Sequence, residues 1–379
     1  MPSDVFHDPT RSAPLSGLLV VDLTRLLPGP LAARLLADLG ARVVKVEDPR
    51  GGDPVRAAAP LVDGASPLAA LLLGGLESVT LDLKEAASVA ALLELLAGTD
   101  VLLESFRPGT LARLGLAPTM LRQRFPRLVV CSVSGWGQEG PYAARAGHDL
   151  TYQAVGGALA ATGAPPALPV ADVVGAWAAV AAVLAALVAR ERGGGGAEGR
   201  GAWIDAALLD AAVHANVTGW AAHAAGATAV AEPLPLTGAL PCYGVYRTRD
   251  GRKLALGALE PHFWARFCGA AGRPDLKSLQ YAVDDDARRE VTELVASHDR
   301  DEWVQLLAAH DVPVEPLLAL GEAEAHPQVV ARDLVRRGED GLPRLGFPAR
   351  FDGVRPRGGE EVPELGADNA RVFGGPAAE

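Results

Sequence analysis

One stretch of this 379-residue chain gathers the side chains that could carry acid–base chemistry. In SGWGQEGPYAARAGHDLTYQAVGGALAATG a strand-like run passes into glycine-rich loops bearing Gln138, Arg145, His148, Asp149 and Tyr152, with no regular alternation of polarity. Loops at the carboxyl ends of parallel strands are where α/β proteins place their sites. Asp172, in LPVADVVGAWAAV, stands where the N-cap of an alanine-rich helix belongs. A carboxylate there meets free N–H groups and the positive end of the helix dipole, which hold it ionised and fixed, as a base or nucleophile requires. The plainer readings stay open beside these: a single loop histidine is more often structural than catalytic, and a helix needs its cap whether or not it catalyses.

Other chemistries have less to stand on. His-Asp dipeptides recur at His7-Asp8, His148-Asp149, His298-Asp299 and His310-Asp311, but none has partners at metal-ligand spacing. His298-Asp299 reads as a helix start capped by Ser297 or Asp299. Gly193 to Gly196 lacks the Gly-Lys-Ser/Thr ending of a phosphate-cradling loop and reads as a surface connection. Cys131, Cys242 and Cys268 are an odd number with no C-x-x-C pair, so neither a disulfide framework nor a structural zinc is expected, and the cytoplasm is the expected compartment.

The elements that must position the candidate residues follow from periodicity. GLLVVDL at 17–23, VVKVE at 43–47, VTLDL at 79–83, VLLES at 101–105 and RLVVCSVSG at 127–135 read as strands. Helical stretches separate them, including LAARLLADLGA, 85–97 and 118–123. Strands alternating with helices imply α/β architecture, a parallel sheet with right-handed crossovers and a Rossmann-like first domain. Glu47 at a strand end suits a dinucleotide site, but Gly29 stands alone between Pro28 and Pro30 where G-x-G-x-x-G would be needed, so NAD or FAD is not expected. A long helix is expected over 173–190 and another over WIDAALLDAAVHANVTGW at 203–220. A hairpin is expected through Arg249-Asp250-Gly251-Arg252.

The expected organisation is a large domain over 1–205, a linker helix region over 206–234 and a small α+β domain over 235–325. The proline-bearing tail, 330–379, returns to the large domain. Thirty-five Lys and Arg against 46 Asp and Glu give a net charge of −11, which argues against nucleic acid as a partner. The longest apolar run, Ala176 to Val188, falls short of a membrane span and reads as a buried helix, so no membrane partner is expected.

Several motifs in order resemble the family III CoA-transferases and their α-methylacyl-CoA racemase branch. They are LLVVDLTRLLPGPLAARLLADLGARVVKVEDPRGGDPVR, SVTLDLK, DVLLESFRPGTLARLGL, SGWGQEGPYAARAGHDLTY and GALEPHFW. Gly-His-Asp followed by Tyr, Glu-Pro-x-Phe and SHDRDEW are similar to the racemase branch. The resemblance implies that His148 and Asp172 are two bases on opposite faces of the α-carbon of a 2-methylacyl-CoA thioester, with Glu260 supporting the histidine. Peptide N–H groups from Gly147 to Asp149, near Tyr152, would steady the enolate oxygen. In the transferase branch the aspartate matching Asp172 is instead a nucleophile. Arg50, Phe106, Arg107 and Arg113 are the implied CoA-binding residues. CoA enters as part of the substrate, and the chemistry needs no metal or redox cofactor. The resemblance also implies an interlocked homodimer. The chain departs from the family pattern at Asp48, at Leu73-Gly74-Gly75-Leu76 and at Ala171, which leaves a non-catalytic homologue that has lost CoA binding as a further alternative.

Overall fold

The computed structural model describes residues 13–160, 163–193, 199–226 and 235–374; His7-Asp8 and most of the glycine run at 193–196 lie outside them. The described residues fall into two compact units, within Met1–Ala158, Pro165–Ala215 and Pro327–Glu379 for the first and within Leu159–Ala164 and Asn216–His326 for the second.

In the first unit the strands are β1 (Leu19–Leu23), β2 (Arg42–Glu47), β3 (Glu77–Thr80), β4 (Val101–Glu104), β5 (Val129–Ser134) and β6 (Trp203–Ala207). Between β1 and β5 run helices α1 (Pro28–Asp38), α2 (Pro67–Leu73), α3 (Ala86–Leu96), α4 (Thr110–Arg113) and α5 (Pro118–Arg124). After β5 come α6 (Asp149–Val155) and α7 (Val170–Arg192), and α8 (Leu208–Ala215) follows β6. The sheet order is β3-β2-β1-β4-β5-β6, and every pairing is parallel. The order reverses between β1 and β4, which opens a crevice at the carboxyl ends of these strands. The strands read as nearly continuous apolar runs because both faces are covered. Val20, Val43, Val101 and Leu103 pack with α1, α2 and α7 on one face. Val21, Val44, Leu102 and Val130 pack with Leu92, Leu96 and Leu121 on the other.

Three expectations need correction. WIDAA at 203–207 is the sixth strand, paired with β5 from Val130↔Trp203 to Ser134↔Ala207, and only then does helix begin. Its alanines suit the helix that follows, while Trp203 and Ile204 suit a pleated edge; five residues are too few for periodicity to separate the two. The third strand is Glu77–Thr80, ending level with β2, so Leu81, Asp82 and Leu83 belong to the loop beyond it. Helix α7 is 23 residues, longer than its apolar run suggested, and by length and composition alone it could cross a membrane. Here it packs on α1, α6, α8, β5 and β6, burying Ala176, Ala179, Val180, Val183 and Leu187.

The second unit holds α9 (Val217–Ala224), β7 (Tyr243–Arg247), β8 (Lys253–Gly257), α10 (Pro261–Ala270), α11 (Asp285–Val295), α12 (Arg300–Ala308), β9 (Val314–Pro316) and α13 (Leu320–Glu324). Strands β7 and β8 form the expected hairpin, and β9 completes an antiparallel sheet. Its core is built on Trp264, Phe267, Val291 and Trp303. Asp299 heads α12, its N–H donating to Glu302 Oε2 at 2.9 Å, so this His-Asp pair has a structural explanation. The stretch expected as a linker, 206–234, is divided: α8 packs in the first unit and α9 lies in the second.

The chain then returns to the first unit with α14 (Pro327–Arg332), β10 (Val335–Arg337), β11 (Pro343–Leu345) and α15 (Asn369–Phe373). Asp368 Oδ2 accepts from Ser78 N (2.7 Å) and Asn369 Oδ1 from Thr80 N (2.8 Å), so side chains of the tail satisfy the open edge of β3.

Candidate active site

The loop leaving β5 is ordered by aromatic contacts. Trp136 meets Tyr152 edge-on at 4.8 Å and Tyr142 at 5.2 Å, and the Arg145 guanidinium lies 3.7 Å over the Tyr142 ring. Gln138 is tied by its backbone N–H to Asp205 Oδ2 at 2.8 Å, and its side-chain nitrogen is buried with no partner among the described residues. Tyr152 is buried in the first turns of α6, where only glycine leaves it room. A Cβ on Gly135 would stand 2.2 Å from its hydroxyl oxygen, and one on Gly147 2.5 Å from its ring. Gly135→Ala is therefore expected to cost about 1–3 kcal/mol in thermal or urea unfolding. Combining it with Tyr152→Leu, which withdraws the hydroxyl, should cost clearly less than the two single changes added together.

His148 is the residue just before α6, with an exposed ring. Thr151 holds its backbone: Oγ1 accepts from His148 N at 3.0 Å and donates to His148 O at 2.7 Å. That bond corrects one expectation, because the His148 N–H is already occupied and is not a free donor for an oxyanion. Asp149 is likewise engaged. Its Oδ2 accepts from Gln153 Nε2 at 2.5 Å and its Oδ1 from the backbone N–H of Asp172 at 3.1 Å.

The last bond joins the heads of α6 and α7. Helix α7 starts at Val170, with Pro169 in the cap position, so Asp172 is its third residue and not its cap. Proline has no side-chain acceptor, and Asp149, 23 residues away in sequence, satisfies one of the orphan N–H groups instead. The half-buried Asp172 carboxyl is pushed up to about 6, first by burial and then by the Asp149 charge, while the His148 imidazolium pulls it down. Burial thus outweighs the helix head, which alone would hold the carboxylate ionised. Tyr152 is raised by burial, then by Asp172 and Asp149, so the phenol borders both carboxylates. His148, Asp149, Tyr152 and Asp172 therefore share one place.

At the reversal of strand order lies a cavity of about 220 Å³. Leu23, Val46, Leu81, Phe106 and Leu114 line it with apolar surface, and Arg25, Arg50 and Lys84 stand among its polar residues with Asp48 and Asp82. Glu47 and Asp53 also contribute to its lining. A larger one, about 610 Å³, lies among α2 and the returning tail, lined by Glu339, Asp340, Arg344, Glu360 and Glu361, away from the strand ends that frame the first.

Beneath the first cavity is a buried ionic cluster. Lys45, fully enclosed, reaches Asp22 Oδ2 (3.1 Å), Thr24 O (2.9 Å) and Asp53 Oδ2 (3.0 Å). Burial acts to lower the Lys45 pKa, but the Asp22 and Asp53 charges and hydrogen bonds outweigh it and raise the value. Asp53 Oδ1 also accepts from Leu26 N and Val55 N, and Glu47 accepts from Asp53 N, Ser78 and Arg56. The loops after β1 and β2 are thereby pinned to one another.

The profile of the family described as CoA-transferase family III matches residues 15–369. The chain belongs to CoA-transferase family III. It is 32% identical to the acetyl-CoA:oxalate CoA-transferase of Acetobacter aceti, over 97% of this chain and 97% of that one. It is 33% identical to the alpha-methylacyl-CoA racemase of Homo sapiens, over 82% of this chain and 80% of that one. The crystal structure of a CAIB/BAIF family protein from Brucella suis superposes with a TM-score of 0.83 at 28% identity, covering 96% of this chain and 99% of that one. This family III protein is accordingly an enzyme, among relatives named for CoA transfer and for racemisation.

Of the CoA-binding residues that the resemblance implied, Arg50 and Phe106 line the cavity. Arg107 and Arg113 are exposed and are not among its lining residues, although Arg113 Nη2 donates to the lining residue Thr110 at 2.7 Å. Glu260 lies at the head of α10 in the second unit, where its charge acts on Cys242. Arg25 and Lys84 escaped the sequence reading. Both stand a few residues past the carboxyl end of a parallel strand, the rule that had singled out the loop after β5.

Proposed function

We propose that this family III enzyme is a 2-methylacyl-CoA racemase that inverts the α-carbon by two-base proton transfer. The observation that carries the reading is the hydrogen bond from Asp172 N to Asp149 Oδ1, because it brings the head of α7 to the head of α6, where His148 stands. In one direction the Asp172 carboxylate takes the α-proton, and the C–H electron pair moves through the Cα–C bond onto the thioester oxygen. The enolate then collapses, taking a proton from the His148 imidazolium on its other face. The step leaves Asp172 protonated and His148 neutral, the states from which the reverse inversion starts. A carboxyl at about 6 suits this alternation, since it exchanges protons near neutral pH at little cost in either direction. The cavity at the strand reversal would take the nucleotide end of CoA, its adenine against Phe106 and its phosphates toward Arg25, Arg50 and Lys84. The reading extends to a cytoplasmic homodimer in which Glu260 of a second copy supports His148; the three buried free thiols accord with that compartment.

A 2-methylacyl-CoA incubated with the enzyme in deuterated water should exchange its α-hydrogen and lose stereochemical purity. His148→Ala should abolish inversion while one epimer still exchanges, since the remaining base serves one face. Retention of full inversion by His148→Ala would end the two-base mechanism.

The second reading is a CoA-transferase in which Asp172 attacks the thioester carbonyl and expels CoA thiolate, forming an acyl-enzyme anhydride. It is favoured by the transferase relative that aligns over 97% of both chains. Migration of CoA to an added carboxylic acid, lost in Asp172→Ala and with no deuterium uptake, would select it.

A further inference from the structure

The three cations among the lining residues of the strand-reversal cavity are not equivalent. Arg25 and Lys84 make no ion pair among the described residues, whereas Arg50 is already occupied. Its Nε donates to Asp48 Oδ1 at 2.9 Å and its Nη2 to Asp48 Oδ2 at 2.8 Å, with Asp82 Oδ2 3.5 Å from Nη2. Asp48 also accepts the Arg50 backbone N–H at 2.9 Å. Its side-chain hydrogen bonds all come from a residue two positions on, within the same exposed loop, so they brace nothing elsewhere in the fold. Asp82 differs, because it also accepts from Lys84 N in the turn after β3.

We propose that Asp48 sets the affinity for CoA, its carboxylate holding Arg50 in the free enzyme and opposing the phosphate that must take its place. This rests on the reading that the cavity receives the nucleotide end of CoA. An exposed pair of this kind is weak, so a phosphate, with more charge and more acceptor oxygens, displaces it readily. The displaced carboxylate nevertheless remains beside the bound phosphate as a like charge. In the free enzyme Arg50 keeps Asp48 well below the ordinary carboxylate range, at about 2, so acidification within the working range does not open the pair before CoA binds. The consequence is an enzyme that grips CoA esters loosely and releases them quickly.

The test is calorimetric titration of wild type and Asp48→Asn with CoA, with dephospho-CoA and with pantetheine. Asp48→Asn should bind CoA about tenfold more tightly, with the gain shrinking in 0.5 M salt. Pantetheine, which has no phosphate, should show no gain. Dephospho-CoA distinguishes the sources, since a gain retained in full assigns the contact to the diphosphate and a gain lost assigns it to the 3′-phosphate. In Asp48→Asn/Arg50→Gln the gain should vanish. Equal or weaker CoA binding by Asp48→Asn, or a matching gain for pantetheine, would overturn the proposal while leaving CoA recognition standing. If neither protein bound CoA at all, the reading of the cavity would fall and this proposal with it.

Discussion

Asp172→Asn should lower turnover of an acyl-CoA substrate by about a thousandfold, within the range a positioned general base supplies, and should also make the protein more stable above pH 6. Asparagine keeps the shape of the side chain, so its position beside the Asp149–Asp172 backbone bond is preserved while the proton acceptor is lost. The stability gain has a definite sign. The Asp172 pKa rises from 3.8 to about 6 on folding, so between these values the native state holds more proton than the unfolded chain. Stability therefore falls as pH rises through that window, and ionised Asp172 is a net cost above it. Asparagine removes the cost, a gain of about 1–2 kcal/mol at pH 7 once water screening of a half-buried carboxylate is allowed for. Below about pH 3 the two proteins should unfold alike, because Asp172 is then largely protonated in both states. Thermal unfolding at about pH 3 and about pH 7, alongside α-proton exchange, measures both halves. Activity within threefold of wild type would remove Asp172 from the mechanism under either reading.

The second large effect is expected at Lys45. Lys45→Met fills similar space but strands Asp22 and Asp53 without their shared cation, and breaking a buried ionic cluster in this way costs about 3–5 kcal/mol. For a chain of 379 residues that is a fall in Tm of about 5 °C. The lysine's contribution should be level through neutral pH and lost in alkali, because its pKa is raised from 10.5 and a raised cationic group stabilises below that value. Neutralising both stranded carboxylates, as Lys45→Met/Asp22→Asn/Asp53→Asn, should recover part of the loss. The cluster also pins the loops bordering the small cavity, through Asp53 to Leu26 N, so CoA affinity should fall as well. Arg190→Gln provides the contrast. It breaks the 2.9 Å pair with Asp100, which lies just before β4 at the opposite end of the sheet, and should lower stability while leaving CoA affinity unchanged.

The first five strands, the third only in part, and helices α1, α3 and α5 between them were legible because each repeats a short, local pattern: a buried strand is a run of apolar residues, and a turn announces itself with Gly or Pro. The sixth strand was not, since Trp203–Ala207 becomes a strand by pairing with β5 and its five residues carry no periodicity of their own. Asp172 was legible as a helix-head carboxylate, yet its exact place was not, because Pro169 took the cap position and Asp149 the hydrogen-bonding duty. Arg50 and Phe106 were legible through motif position. Arg25 and Lys84 became visible only when the strands carrying their loops were placed side by side.

What the sequence by itself determined is therefore the order of most strands and helices, the candidates for acid–base chemistry and the family likeness, all properties of neighbours along the chain. Only the tertiary structure decided that an oxygen of Asp149 reaches the amide of Asp172, and that Asp48 spends its charge on Arg50. Charge and burial depend on distance in space, and residues 23 apart acquire a distance only when the chain folds.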